Sequence, residues 1–162
     1  MKKILIFYAS YGGGHLSAAK SINNYLNENY PDIKTELVDC MKYINIILEK
    51  LTTSAYKEMA KKAPKLWKEV YYHSQKGLLS EISKGSNKLM AKKLAKLINE
   101  LNPDFILSTH PFSSQMVSYL KRKGELNCKS ATILPDFEIH AQWIVGHEYT
   151  HLFFVSNEHM TD

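Results

Sequence analysis

KILIFYASYGGGHLSAAKSINNYL, residues 3–26, decides how this chain folds. Lys3 to Ala9 is an apolar run of strand length, and it empties directly into Gly12-Gly13-Gly14. Leu16, Ala19, Ile22 and Leu26 then recur at helical spacing, so a helix is expected from His15 to Asn29, where Pro31-Asp32 ends it. Thr35 to Val38 reads as a second strand. Strand, glycine turn, helix and strand form a βαβ unit, which implies a parallel sheet with a right-handed crossover.

The rest of the chain continues that pattern. Ile44, Ile47, Leu48, Leu51, Ala55 and Met59 mark an amphipathic helix that Pro64 interrupts. Leu66, Trp67, Val70, Tyr71 and Tyr72 follow among lysines, and Gly77 and Gly85 punctuate a loop. Met90, Leu94, Leu97, Ile98 and Leu101 predict a helix ending before Asn102-Pro103. Strands are expected at Phe105 to Thr109, Ala131 to Leu134 and Leu152 to Val155, with a helix from Phe112 to Lys121. The expected fold is α/β: a Rossmann-like open parallel sheet flanked by helices, with a helical insertion between the second and third strands.

Composition bounds the remaining classes. At 162 residues the chain is one domain with room for a real core, and no stretch is long enough to span a bilayer. The opening apolar run is too short for a signal peptide, and the glycine turn after it is no cleavage site. Cys40 and Cys128 suggest neither a disulfide framework nor a zinc knuckle, which fits a reducing cytoplasmic setting. Net charge is +5, and residues 57–96 hold eleven Lys against three Glu, so the basic character sits in the middle of the chain. Lysine stems mixed with aromatics suit the interfacial layer of an anionic membrane, and Lys61, Lys62, Lys65, Trp67, Lys68, Tyr71 and Tyr72 are the candidate docking residues. A solvated helical face is the plainer reading of such a charge run. No nucleic-acid module is recognisable, so nucleic acid is not an expected partner.

In open parallel sheets ligands gather beyond the carboxyl ends of the strands. Three segments fall there: Gly12, Gly13, Gly14 and His15; His110, Pro111 and Phe112; and Asp136 to Trp143, which includes His140. A glycine turn opening a helix presents free backbone N–H groups and the positive end of the helix dipole, which suit a diphosphate. A Walker loop would need Gly-Lys-Ser/Thr, which is missing. The dinucleotide fingerprint fits at Gly12 and Gly14, but Ser17 stands in the third glycine's place, with Asp39 as a possible ribose-binding acid. A nucleotide-binding Rossmann module is therefore one alternative. A second is a zinc metallopeptidase-like protein, from His147-Glu148-Tyr149-Thr150-His151, an H-E-x-x-H pattern that on a helix puts two imidazoles on one face. No third ligand is evident, and Leu152 to Val155 reads as a strand, which would separate the two rings.

Three motifs carry a family resemblance along essentially the whole chain. FYASYGGGHLSAAKSI (residues 7–22), STHPF (108–112) and LPDFEIHAQWI (134–144) resemble, in order, the signatures of monogalactosyldiacylglycerol synthases and the related bacterial diacylglycerol glucosyltransferases. Pro135 stands where that family usually has Thr before the Asp. The resemblance implies an inverting glycosyltransferase of the GT-B type, with an N-terminal half for the lipid acceptor and a C-terminal half for the UDP-sugar. This chain matches the N-terminal half, so residues 1–162 are expected to be a single acceptor-binding domain without the UDP-sugar domain, inactive as a hexosyltransferase alone. The implied partners are diacylglycerol, a UDP-sugar and an anionic membrane surface, on the inner face of the cell membrane, with no cofactor and no metal. Imidazole titrates near neutral pH, and a helix start disfavours its charged form, so His15 is the expected general base. Asp136 would orient an imidazole or act as base itself. Gly12, Gly13 and Gly14 would lie beside the donor's phosphates, and His110, Pro111, Phe112, His140 and Trp143 would contact substrate.

Overall fold

A computed structural model of the chain describes residues 1–10, 13–44 and 78–155, with the backbone alone for 78–89. Among the described residues five strands form one sheet: β1 (Lys2–Tyr8), β2 (Ile33–Asp39), β3 (Phe105–Ser108), β4 (Lys129–Ile133) and β5 (Leu152–Phe154). All neighbours run parallel in the order β2-β1-β3-β4-β5. Helices α1 (Gly14–Asn29), α2 (Cys40–Ile44), α3 (Leu78–Leu101), α4 (Pro111–Arg122) and the one-turn α5 (Ala141–Ile144) connect them, with a 3₁₀ turn at His147–Tyr149. This is the Rossmann-like open parallel sheet expected from the sequence.

Strand β1 is an interior strand, and its continuous apolar run is explained by helices on both faces. Leu5 and Phe7 face one core with Met41 of α2, Leu94 and Ile98 of α3, and Met116, Val117 and Leu120 of α4. Ile6 faces the opposite core with Ala19 of α1, Leu107 of β3 and Ala131 of β4. Leu5, Ile6 and Phe7 are each fully buried, which stabilises the fold by about 1.5–3 kcal/mol per side chain. Because α1 leaves β1 toward one face and α4 leaves β3 toward the other, the chain diverges between these two paired strands. Their register, Ile4↔Phe105 through Phe7↔Ser108, brings both carboxyl ends to the same level. That is the crevice where open α/β sheets place ligands.

Three local readings need correction. Helix α3 runs straight through Gly85 from Leu78, so Gly85 does not lie in a loop; a mid-helix glycine costs about 1 kcal/mol, which a helix of this length tolerates. Helix α2 begins at Cys40, directly after β2, because the Asp39 carboxylate accepts the N–H groups of Met41 (3.1 Å) and Lys42 (3.0 Å) and caps it. Asp39 also accepts the Ser10 hydroxyl, so it is spent on local structure and not poised as a ribose-binding acid. The helix expected over residues 44–59 and the docking residues Lys61, Lys62, Lys65, Trp67, Lys68, Tyr71 and Tyr72 lie outside the described residues, as does Gly12. Among the described residues no helix is long and apolar enough to cross a membrane.

Candidate active site

His15 is the second residue of α1, one step beyond the glycine turn. Its Nδ1 lies 2.7 Å from the main-chain oxygen of Thr109, the residue just after β3. A carbonyl oxygen only accepts, so Nδ1 carries a proton, and in the neutral form of the ring the lone pair lies on Nε2. Thr109 is fully buried, and its hydroxyl approaches the main-chain oxygens of His15 (3.0 Å) and Phe7 (3.3 Å). Its N–H also donates to the Phe7 oxygen at 2.9 Å. One residue thus ties the ends of β1 and β3 to the start of α1 and sets the tautomer of His15. The sequence offered no sign of this, because a main-chain carbonyl has no side-chain signature.

Asp136, in the loop after β4, faces the other side of the ring, with Oδ1 3.9 Å from His15 Nε2. Its second oxygen, Oδ2, accepts the Trp143 indole N–H at 2.6 Å. The expected choice between orienting and catalytic roles for Asp136 is narrowed by this geometry. The orienting position on Nδ1 belongs to Thr109, and the carboxylate stands on the side where a proton would be received. The His15 side chain is 14% exposed and that of Asp136 36%, so this edge is reachable from solvent.

His110 completes the group. Its ring meets that of His15 edge to face, centroids 4.6 Å apart. It caps α4 by accepting the Phe112 N–H on Nδ1 at 3.1 Å, with Pro111 in the first turn where no N–H is needed. Burial, and secondly the neighbouring His15, hold the His110 pKa well below 6.5. His110 is therefore a neutral ring beside His15, with its Nδ1 engaged by the Phe112 N–H. Phe112 packs partly against the core around Leu5 and Phe7.

Two expected substrate contacts sit elsewhere. Trp143 is 1% exposed, too buried to lie against a lipid directly. His140 is also buried and caps α5, its Nδ1 accepting the Gln142 N–H at 3.2 Å. Trp143 holds Asp136 through its indole N–H, and its ring centroid lies 6.1 Å from that of His15. Gly13 and Gly14 have negative φ or ordinary helical geometry, and a Cβ at either would meet nothing within 4 Å. Neither packing nor backbone conformation requires glycine there; the bare backbone borders open space at the helix start. Phe137, next to Asp136, is 92% exposed, and Ile144 and Val145 are also exposed, an apolar rim that the sequence reading passed over.

The H-E-x-x-H stretch does not form a helix that would put its imidazoles on one face. His147 opens the 3₁₀ turn and donates from Nδ1 to the Ile144 oxygen at 2.8 Å. His151 lies past the turn, at the entrance to β5, and its Nδ1 accepts from the Ser130 N–H (3.3 Å) and the Lys121 ammonium (3.2 Å). The positive charge of Lys121 holds the His151 pKa below its ordinary value. Among the described residues no group of three His, Cys, Asp or Glu side chains is arranged to hold a metal ion.

Comparison with known proteins follows the same residues. A family model described as monogalactosyldiacylglycerol (MGDG) synthase matches residues 15–162. Processive diacylglycerol beta-glucosyltransferase of Staphylococcus carnosus (strain TM300) is 30% identical over 148 residues, covering 90% of this chain and 36% of the relative. The protein of that name from Staphylococcus aureus (strain MRSA252) is 31% identical, covering 97% and 39%. That from Staphylococcus epidermidis (strain ATCC 12228 / FDA PCI 1200) is 29% identical, covering 99% and 40%. The chain thus spans about 36–40% of the length of these curated relatives. No solved structure matches.

Proposed function

The chain belongs to the monogalactosyldiacylglycerol synthase family, and from that premise we propose that it is the N-terminal, acceptor-binding domain of an inverting glycosyltransferase that moves a hexose from a UDP-sugar to diacylglycerol. The observation that carries the mechanism is the 2.7 Å contact between His15 Nδ1 and the Thr109 oxygen. In the neutral imidazole it leaves the lone pair on Nε2 to serve as the base, within 3.9 Å of a carboxylate.

The step is a single displacement. The acceptor's hydroxyl oxygen attacks the anomeric carbon from the face opposite the diphosphate. Its proton passes to His15 Nε2, the bond from the anomeric carbon to the diphosphate oxygen breaks, and the electron pair leaves with UDP. Asp136 steadies the imidazolium that forms, since an opposite charge within about 4–6 Å favours it. The open backbone at Gly13 and Gly14 gives the leaving phosphates N–H groups at a helix start. The exposed rim of Phe137, Ile144 and Val145 gives the apolar part of the acceptor a surface beside the reacting hydroxyl. The UDP-sugar would be held by a further domain of the longer protein. Docking through the lysine- and aromatic-rich segment would keep the protein peripheral on the inner face of the cell membrane.

The test is sugar transfer to diacylglycerol in anionic vesicles by the longer protein that carries this chain, with UDP-glucose and UDP-galactose as donors. Positioned general-base catalysis supplies about 100- to 10,000-fold, so His15→Ala should lower kcat by that factor while vesicle binding stays unchanged. Full transfer by the variant removes His15 from the mechanism, and no transfer by the parent protein removes the reading.

A further inference from the structure

We propose that Trp143 is a positioning residue, whose indole N–H holds one oxygen of Asp136 and thereby aims the other at His15 Nε2. The inference deepens the reading of this site as an acid–base centre and rests on it.

Asp136 sits in a loop with its side chain 36% exposed, and the Trp143 indole N–H is a buried anchor for its carboxylate. The Trp143 ring is the largest fully buried side chain among the described residues. Enclosed on all sides, it cannot swing to follow a wandering carboxylate. Its N–H lies 2.6 Å from Oδ2, and a buried indole donor left without an acceptor is costly, so the contact is retained. The indole is itself fixed. The Trp143 main-chain N–H donates to the His140 main-chain oxygen at 2.8 Å, and His140 caps α5 by accepting the Gln142 N–H. Gln115 of α4 donates to the main-chain oxygen of Gln142 at 2.7 Å and to its side-chain oxygen at 2.9 Å. The carboxylate is thus referenced, through α5, to the same helix that His110 caps. The spacing of Asp136, His140 and Trp143 acquires a reason: His140 starts a single helical turn, and that turn folds the indole back onto the carboxylate.

A residue acting through Asp136 has a distinct signature. In the longer protein, Trp143→Phe keeps the ring and removes the N–H. Losing a hydrogen bond to a charged group should lower kcat about tenfold to a hundredfold, with KM for the acceptor unchanged. In an Asp136→Asn background the same substitution should change kcat by less than about twofold, because the two losses share one route. Equal losses in both backgrounds would mean that Trp143 only fills space, and the proposal would fall. The second measurement uses this chain and leaves Trp143 in place. The Trp143 indole N–H resonance, distinguished from that of Trp67, should move upfield and exchange at least about tenfold faster in Asp136→Asn, as a charged acceptor becomes a neutral one. An unmoved resonance overturns the proposal even if Trp143→Phe proves too unstable to assay. A moved resonance in a protein that transfers no sugar keeps the contact and discards the glycosyltransferase reading instead.

Discussion

His110→Asn should flatten the acid sensitivity of this fold. In the folded chain His110 accepts the Phe112 N–H on Nδ1, and burial holds its pKa well below 6.5. In the unfolded chain the same imidazole titrates near its ordinary value of about 6.5. Below that pH the unfolded state takes a proton that the folded state refuses. The contribution of His110 to stability is therefore complete above 6.5 and shrinks as pH falls toward the folded-state value. One proton of difference corresponds to about 1.4 kcal/mol for each pH unit crossed in that window. Protonating the folded ring would also replace the acceptor at the start of α4 with a donor facing a donor. Asn is a preferred N-cap residue and does not titrate, so it retains an acceptor without the pH dependence. Urea melts of both chains between about pH 7.5 and about pH 5 measure the difference directly, since stability is linear in denaturant. Titrations common to both chains cancel in the comparison, apart from that of His15, which His110 neighbours. The expected result is that wild type loses stability toward acid with a slope steeper than that of His110→Asn by up to about 1.4 kcal/mol per unit. Parallel profiles would refute the argument, because they would mean that His110 protonates as readily in the fold as outside it.

Two further predictions concern the frame around the site. Gly146 has φ +77°, and a Cβ there would come within 2.7 Å of the Ser118 Cβ on α4, whereas Gly124 has φ +70° with nothing within 4 Å. Left-handed strain alone costs about 1–2 kcal/mol and overpacking adds about 1–3, so Gly146→Ala should lose roughly 2–5 kcal/mol and Gly124→Ala roughly 1–2, by denaturant midpoint; equal losses would show that the loop at Gly146 and α4 have room to part. Asp39→Ala should cost about 1–3 kcal/mol by releasing the N–H groups of Met41 and Lys42, while Asp39→Asn should recover most of it. A stable Asp39→Ala chain with lost nucleotide affinity would instead return Asp39 to the ribose-binding role.

The site was legible as a set of places and much less as a set of roles. Glycines before a helix, His110-Pro111 after a strand and Asp136 in a polar loop are each local marks of strand ends, and parallel topology alone brings strand ends to one edge. Roles depend on which atom faces which, and those contacts join residues far apart in the chain. His15 meets Thr109 and Asp136 across intervals that no periodicity spans. His140 and Trp143 looked like substrate contacts because polar and aromatic residues after a strand usually face the crevice, yet the α5 turn draws both inward. The H-E-x-x-H stretch fits a helix by spacing, but Gly146 at positive φ and the pairing of β5 with β4 decide its shape.

By itself the sequence determined the element order, the parallel sheet and the family, because apolar periodicity, glycine turns and short motifs are properties of neighbouring residues. Tertiary structure alone decided the strand order, the divergence of α1 and α4 from β1 and β3, the tautomer of His15 and the attachment of Asp136 to Trp143. Those are set by which surfaces exclude water together and which buried donors must find acceptors, and such conditions exist only once distant segments are packed side by side.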